Sequence, residues 1–335
     1  MNIAELKAAF GAYYRQEGQG VKDLDTAIVQ PLVTEQFFNS RPTLNTQERR
    51  MKAMIGKVLR QRQTALTAES SLEIKPRVID LQPLSYEVRE TPMEIEDSYA
   101  GFLANPDNNM YKDWTIVQYI VNELMLKKGR QEYELDEVYY GVAGAITPGV
   151  ANPAGENFNG LKHLINEFIT EGSIIPVSAP TTWDTNPANF IDELEAWIND
   201  VKATSNEARL LVNAGMEIGL SPELFELAMR GIHKNYNVNY NATGDNITDR
   251  PQSVKLPFGK TRLFELPSMS GAQELIMTPS WNRAAFVKRP ISESGPNVQE
   301  VGREVVIFSD FWKGIGFWHP EYVYVTPHIV TEEEI

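Results

Sequence analysis

Thr261-Arg262-Leu263-Phe264-Glu265-Leu266-Pro267, Ala272-Gln273-Glu274-Leu275-Ile276-Met277-Thr278-Pro279, Arg283-Ala284-Ala285-Phe286-Val287-Lys288-Arg289, Gly302-Arg303-Glu304-Val305-Val306-Ile307-Phe308-Ser309-Asp310 and Gly316-Phe317-Trp318-His319-Pro320-Glu321-Tyr322-Val323-Tyr324-Val325 follow one another in the last third of the chain. Each run is rich in β-branched and aromatic residues and is bounded by Pro, Gly or small polar residues, the pattern of strands. The second continues into Ile276, Thr278, Pro279 and Asn282, and the last two runs read as long closing strands. Nowhere in the stretch do a nucleophile, a base and an orienting group fall at a recognisable spacing. The region reads as scaffold.

Upstream the pattern changes. Residues 1–64 read as an interrupted helical arm. Ile3, Leu6, Phe10 and Tyr13 share helical spacing before Gly18-Gln19-Gly20, and Ile28, Leu32, Val33 and Phe37 suggest a short helix near Pro31. A third helix is predicted from Thr46 to Gln63, with Met51, Met54, Ile55, Val58 and Leu59 on one face and Arg49, Arg50, Lys52, Lys57 and Arg60 around them. Residues 71–90 alternate apolar and charged side chains and carry Pro76 and Pro83, which predicts a protruding two-stranded hairpin. Asp113 caps a predicted helix from Trp114 to Lys128 that stops at Gly129. Further helices are predicted over Leu161–Glu171, Pro187–Val201 and from Ser221 to Lys234. Short strands are predicted at Ile174–Val177 and Arg209–Asn213. Asn235 to Asp249 is a polar, Asn-rich loop.

The chain has 335 residues, room for two cores, and it has no Cys, which removes a disulfide framework, a thiolate metal site and a Cys nucleophile. No leader pattern and no membrane-length apolar run are visible. The formal charge of −14 argues against a nucleic-acid reader, but residues 1–62 carry a net of +4, leaving −18 for the remainder. A basic arm is thus joined to an acidic body.

The order of these elements resembles tailed-bacteriophage major capsid proteins of the Hong Kong 97-like fold. The resemblance implies an α+β fold with an N-terminal arm (1–64), an extended E-loop hairpin (65–105), a spine helix and peripheral domain (106–181), an axial domain (182–288) and peripheral return strands with the C-terminus (289–335). It implies a subunit that assembles with itself, as hexamers and pentamers, into the icosahedral head shell around packaged double-stranded DNA. That shell would contact DNA non-specifically and would join a portal and other head proteins, with scaffolding or decoration proteins as further partners and no membrane. Its place would be the virion, assembled in the host cytoplasm. Intersubunit contacts are expected from Arg50, Lys57, Arg60, Ile74, Lys75, Arg77, Val78, Tyr86 and Arg89 on arm and hairpin. An axial loop would place Asn239, Asn241 and Asp245 near symmetry axes, with Trp114, Ile120 and Leu124 as spine-helix core. The alternatives are an encapsulin-like compartment shell, or a soluble hydrolase or carbohydrate-binding protein using surface aromatics.

Readings that imply chemistry fare worse than structural ones. His163, His233, His319 and His328 form no ligand-spaced pair. Gly259-Lys260-Thr261 lacks the first Gly of a phosphate loop, because Val254 stands there. Asn237, Asn239 and Asn241 begin like a calcium loop without its bidentate Glu. Asp192, Glu193 and Glu195 suit a solvated helix start. No catalytic residue, metal or cofactor is expected.

Overall fold

The computed structural model describes residues 8, 32–55, 72–104, 116–237, 252–288, 297–301 and 304–327. They form an α+β architecture with three sheets. The first sheet is organised on one long strand, β11 (Glu304–Phe317). On one side β11 pairs with β4 (Gln82–Glu90) along Val305–Lys313. On the other it pairs first with β10 (Asn297–Val301) and then with β9 (Arg283–Lys288). β1 (Arg41–Pro42) adds parallel to β9. Side chains of β11 alternate in burial as far as Trp312, then both faces are covered from Lys313 to Phe317. The strand therefore leaves a half-covered sheet and enters the centre of the molecule.

The closing strands predicted from Gly302 merge into this single strand, and the run Gly316–Val325 is broken. Pro320 has no N–H for a ladder and opens a tight turn at Pro320–Tyr322. Only β12 (Tyr324–Val325) follows, and it joins the second sheet, of order β12-β8-β5-β7-β6. That sheet contains β5 (Glu217–Leu220), β6 (Ser253–Lys255), β7 (Arg262–Glu265) and β8 (Ile276–Thr278).

Helices α1 (Val33–Phe37) and α2 (Pro92–Ala104) precede the longest helical run, α3. α3 is built of Ile116–Tyr119, Ile120–Leu126, Lys127–Glu132 and Tyr133–Glu137, the second and fourth pieces wound as π-helix. The predicted stop at Gly129 does not occur. Instead Gly129 faces Tyr86 of β4, and a Cβ there would lie 2.4 Å from the Tyr86 ring. The glycine permits close helix–strand approach and the helix runs on through it. Ile120 is fully buried and Leu124 half-buried against the same cluster, with Tyr86, Val305, Ile307 and Phe311 below and Ile95 of α2 beside them. Trp114 lies outside the described residues.

α4 (Leu161–Thr170), α5 (Pro187–Thr204), α6 (Asn206–Ala214) and α7 (Pro222–Tyr236) complete the helices. The strand predicted at Arg209–Asn213 is the body of α6. Ser205 caps it by accepting from the Ala208 N–H at 2.9 Å, and Ala208 and Val212 face inward at helical spacing while Leu210 stays exposed. Ile174–Val177 forms no strand; it is tied to the second sheet by the Val177 N–H donating to the Val325 carbonyl, 2.8 Å. α5, α6 and α7 pack on the second sheet around Phe190, Trp197, Phe225 and Leu263. A further core joins both sheets through Phe37, Phe38, Tyr139, Phe158, Ile276 and Phe317.

Candidate assembly surfaces

The third sheet is a two-stranded ribbon, β2 (Gln47–Ile55) against β3 (Leu72–Asp80). This moves the predicted hairpin. The helix predicted from Thr46 is its first strand as far as Ile55, and Leu72–Asp80 and Gln82–Glu90 are not partners. Only Leu81 separates them, too short a link for a hairpin turn. Leu81 is buried, its N–H donates to the Thr46 carbonyl at 2.9 Å, and the chain passes straight from ribbon to main sheet. The crossing is tight where it meets β11, since a Cβ on Gly314 would lie 2.7 Å from the Asp80 carbonyl oxygen.

Register gives the ribbon two unlike faces. Arg49↔Val78, Met51↔Pro76, Ala53↔Ile74 and Ile55↔Leu72 share one face. Arg50↔Arg77 and Lys52↔Lys75 share the other, between Glu48↔Ile79 and Met54↔Glu73. The first face is apolar toward the tip, with Met51 79% and Val78 42% exposed. The second sets cations directly opposite cations, an unfavourable pairing in an isolated ribbon. At the base the body relieves part of this. The Arg50 guanidinium lies 4.9 Å from the Trp318 ring centre and Arg77 5.7 Å from that of Phe168. Met51 and Val78 remain exposed.

The remaining sequence-predicted residues divide in two. Tyr86 is not a surface contact: its ring is buried, 4.5 Å from Phe311, and burial pushes its hydroxyl well above the usual tyrosine range. Arg89 stays exposed on β4 and pairs with Glu304 of β11 in the same chain. Lys57, Arg60, Asn239, Asn241 and Asp245 lie outside the described residues, and Ile74 and Lys75 are placed by register alone.

Two features escaped sequence reading. Glu137, at the end of α3, organises the loop after it. Its carboxylate accepts from the N–H groups of Gly155 (2.9 Å), Asn157 (3.1 Å) and Phe158 (3.1 Å) and from the Asn157 amide (2.6 Å). The loop so held exposes Ile146 (84%) and Val150 (64%). The second is a turn built by Asn282. Its amide donates to Thr278 Oγ1 and the His319 carbonyl, and its carbonyl oxygen accepts from the His319 N–H at 2.7 Å. This fixes Trp281, half-exposed, 5.6 Å from Tyr322 and 5.8 Å from His319. The Asn of the motif noted in the sequence thus presents an aromatic patch.

Among the described residues no three His, Asp or Glu side chains could hold a metal ion. Asp192, Glu193 and Glu195 turn to different partners: the Asn235 amide, the Asp184 N–H and the Tyr236 hydroxyl. A cleft of about 280 Å³ between β4, α3 and the loop is lined by Leu84, Tyr86, Glu132, Tyr133, Asn152 and Asn157 and gathers no such set. No helix among the described residues is long and apolar enough to cross a membrane.

No protein-family model and no curated protein matches the chain. Solved structures do. The chain is similar to the satellite phage P4 procapsid that includes the size determination (Sid) protein, at 10% identity over 93% of this chain and 97% of that one, with a TM-score of 0.49. It is similar to the capsid of a native GTA particle at 10% identity, 88% and 89% coverage and a TM-score of 0.48. A third likeness, to the capsid of Myoviridae phage XM1, has 13% identity, 88% and 91% coverage and a TM-score of 0.46.

Proposed function

We propose that this chain is the major capsid protein of a tailed bacteriophage, a structural subunit that assembles with copies of itself into an icosahedral shell. The observation that carries the reading is the amphipathic ribbon. Two strands alone are marginal in water. By register this pair sets Met51, Ala53 and Ile55 opposite Pro76, Ile74 and Leu72 on one face and two cation pairs, flanked by Glu48 and Glu73, on the other, while the chain beyond residue 62 carries −18. Each face lacks what a second copy of the body can supply: apolar cover on one side, carboxylates on the other. A ribbon donated to a neighbour is a heterologous contact, and heterologous contacts build rings where the rotation between copies closes. The net of +4 on residues 1–62, carried from Arg41 onward, suits non-specific contact with enclosed DNA. Hexamers and pentamers, a portal and scaffolding or decoration proteins belong to the same reading.

Size-exclusion chromatography and electron microscopy of the purified protein test it. Rings or closed shells are expected from the intact chain, and Met51→Asp should leave the subunit folded and abolish them. A chain that stays monomeric at high concentration, alone and with its candidate scaffold, would overturn the proposal.

A further inference from the structure

The segment from Leu32 to Thr43 straps the two large sheets together. Phe37 packs on Phe264 of the second sheet at 5.1 Å and Phe38 on Phe317 of the first at 5.3 Å. β1 then adds to the edge of β9. Under this strap lies a group of buried ionisable side chains. Glu35 pairs with Lys313 of β11 at 2.8 Å, both almost fully buried. Glu134 of α3 is buried beside them. Its Oε1 accepts from the Thr34 N–H (3.0 Å) and hydroxyl (2.6 Å), and that hydroxyl lies 2.7 Å from Ser268 Oγ. Among the described residues, Glu134 Oε2 has no hydrogen-bond partner.

Two carboxylates therefore share one ammonium in a buried site, and among the described residues one negative charge is in excess there. The groups that act on Glu134 among the described residues are Thr34, Glu35 and Lys313. The strap brings Thr34 and Glu35, β11 brings Lys313, the turn at Pro267–Met269 brings Ser268, and the neighbouring Tyr133 has its hydroxyl pushed up by burial and by Glu35. Tyr86 of β4 also feels Glu35, together with Arg130 and Glu132 of α3. A proton on Oε2 removes the surplus charge and leaves Oε1 free to hold Thr34.

We propose that the strap is a proton-controlled latch: a proton bound at Glu134 tightens the seat of residues 32–38 between the sheets, and its loss loosens them. Burial raises the Glu134 carboxyl above its ordinary value, ahead of the opposing bonds from Thr34. A group raised in the docked state binds its proton more tightly there. Docking is therefore fully favoured below the ordinary carboxylate range and weakens as pH rises through the raised value.

Amide exchange of the full chain, read by mass spectrometry and corrected for intrinsic rates, tests this between about pH 5 and about pH 8. Peptides covering 32–43 should be more strongly protected at the lower pH, because the docked state binds the Glu134 proton more tightly than the free state. Peptides from β5 and β7 serve as reference and should not share the change. Glu134→Gln should flatten the response, and Thr34→Val, which removes a bond that favours the carboxylate, should carry it to higher pH. A strap whose protection ignores pH in the wild type, a response shared equally by the reference peptides, or one that persists in Glu134→Gln overturns the latch.

Discussion

Lys313→Met tests the core under the strap most directly. Lys313 Nζ lies 2.8 Å from Glu35 Oε1, both side chains are 4% exposed or less, and the ammonium stands 4.0 Å from the centre of the Tyr133 ring. Met keeps most of the stem and removes the charge, stranding two carboxylates in the interior. Breaking a buried pair from one side costs about 3–5 kcal/mol, because the remaining charge is left desolvated. At a urea dependence of about 1–3 kcal/mol per molar, the unfolding midpoint should fall by about 1 M or more. Glu35→Gln, which keeps an oxygen for the Leu32 N–H now bonded at 3.1 Å, should cost less, since Lys313 retains Glu134 nearby. The informative variant is the double. Replacing both members of a buried pair is often close to neutral, so Lys313→Met/Glu35→Gln should recover at least about 1.5 kcal/mol relative to the sum of the singles. Urea titrations of the four proteins followed by tryptophan fluorescence measure this coupling. A Lys313→Met protein within about 1 kcal/mol of wild type, or strictly additive losses, would refute the assignment of a buried, mutually dependent pair.

Other perturbations separate packing from loop and surface roles. Gly129→Ala drives a methyl into the Tyr86 ring and should cost about 1–3 kcal/mol, whereas Gly101→Ala on α2, with nothing within 4 Å, should gain about 0.5–1 kcal/mol; thermal melts compare the two. Glu137→Ala leaves the loop 142–157 without its acceptor, and limited proteolysis should then cut within that loop while the wild type resists. Met51→Asp lies on an exposed ribbon face and should change subunit stability by less than about 0.5 kcal/mol while removing rings and shells in electron micrographs.

What sequence reading recovers is governed by how local the cause is. Helices α5 and α7 are visible because their causes are adjacent in the chain: Asn186 and Ser221 as caps, Pro187 and Pro222 in the first turn, and an apolar stripe at helical spacing. α6 was hidden because Arg209-Leu210-Leu211-Val212-Asn213, taken alone, fits a strand as well as a helix. Ser205, four residues earlier, was the deciding signal. Gly129 misled for the opposite reason. A glycine after two lysines looks like a helix end, and only a tyrosine forty-three residues upstream gives it another use. None of the buried group at Thr34, Glu35, Glu134 and Lys313 was legible, since its members are brought together by three separate elements and each alone is an ordinary surface residue.

The ribbon shows most sharply why order along the chain was read well and pairing was not. Met51, Met54, Ile55 and Val58 satisfy a helical period, while Met51, Ala53 and Ile55 satisfy a period of two, so composition leaves the choice open. The decision is made by β3, which offers Pro76, Ile74 and Leu72 opposite those same three residues. Pro76 has no N–H to give a central ladder, and in a two-stranded ribbon each strand keeps one edge free of that demand. Moving the hairpin from 71–90 to 47–80 also changes which residues a neighbouring subunit would meet. Tyr86 leaves the surface for the core, Met51 joins the exposed set, and Val78 keeps its expected place there. Substitutions at Tyr86 should therefore lower subunit stability before they touch assembly, and those at Met51 should do the reverse. Comparing melting temperature with ring formation for Tyr86→Ala and Met51→Asp distinguishes the two registers, and equal behaviour of the pair would return the hairpin to its earlier place.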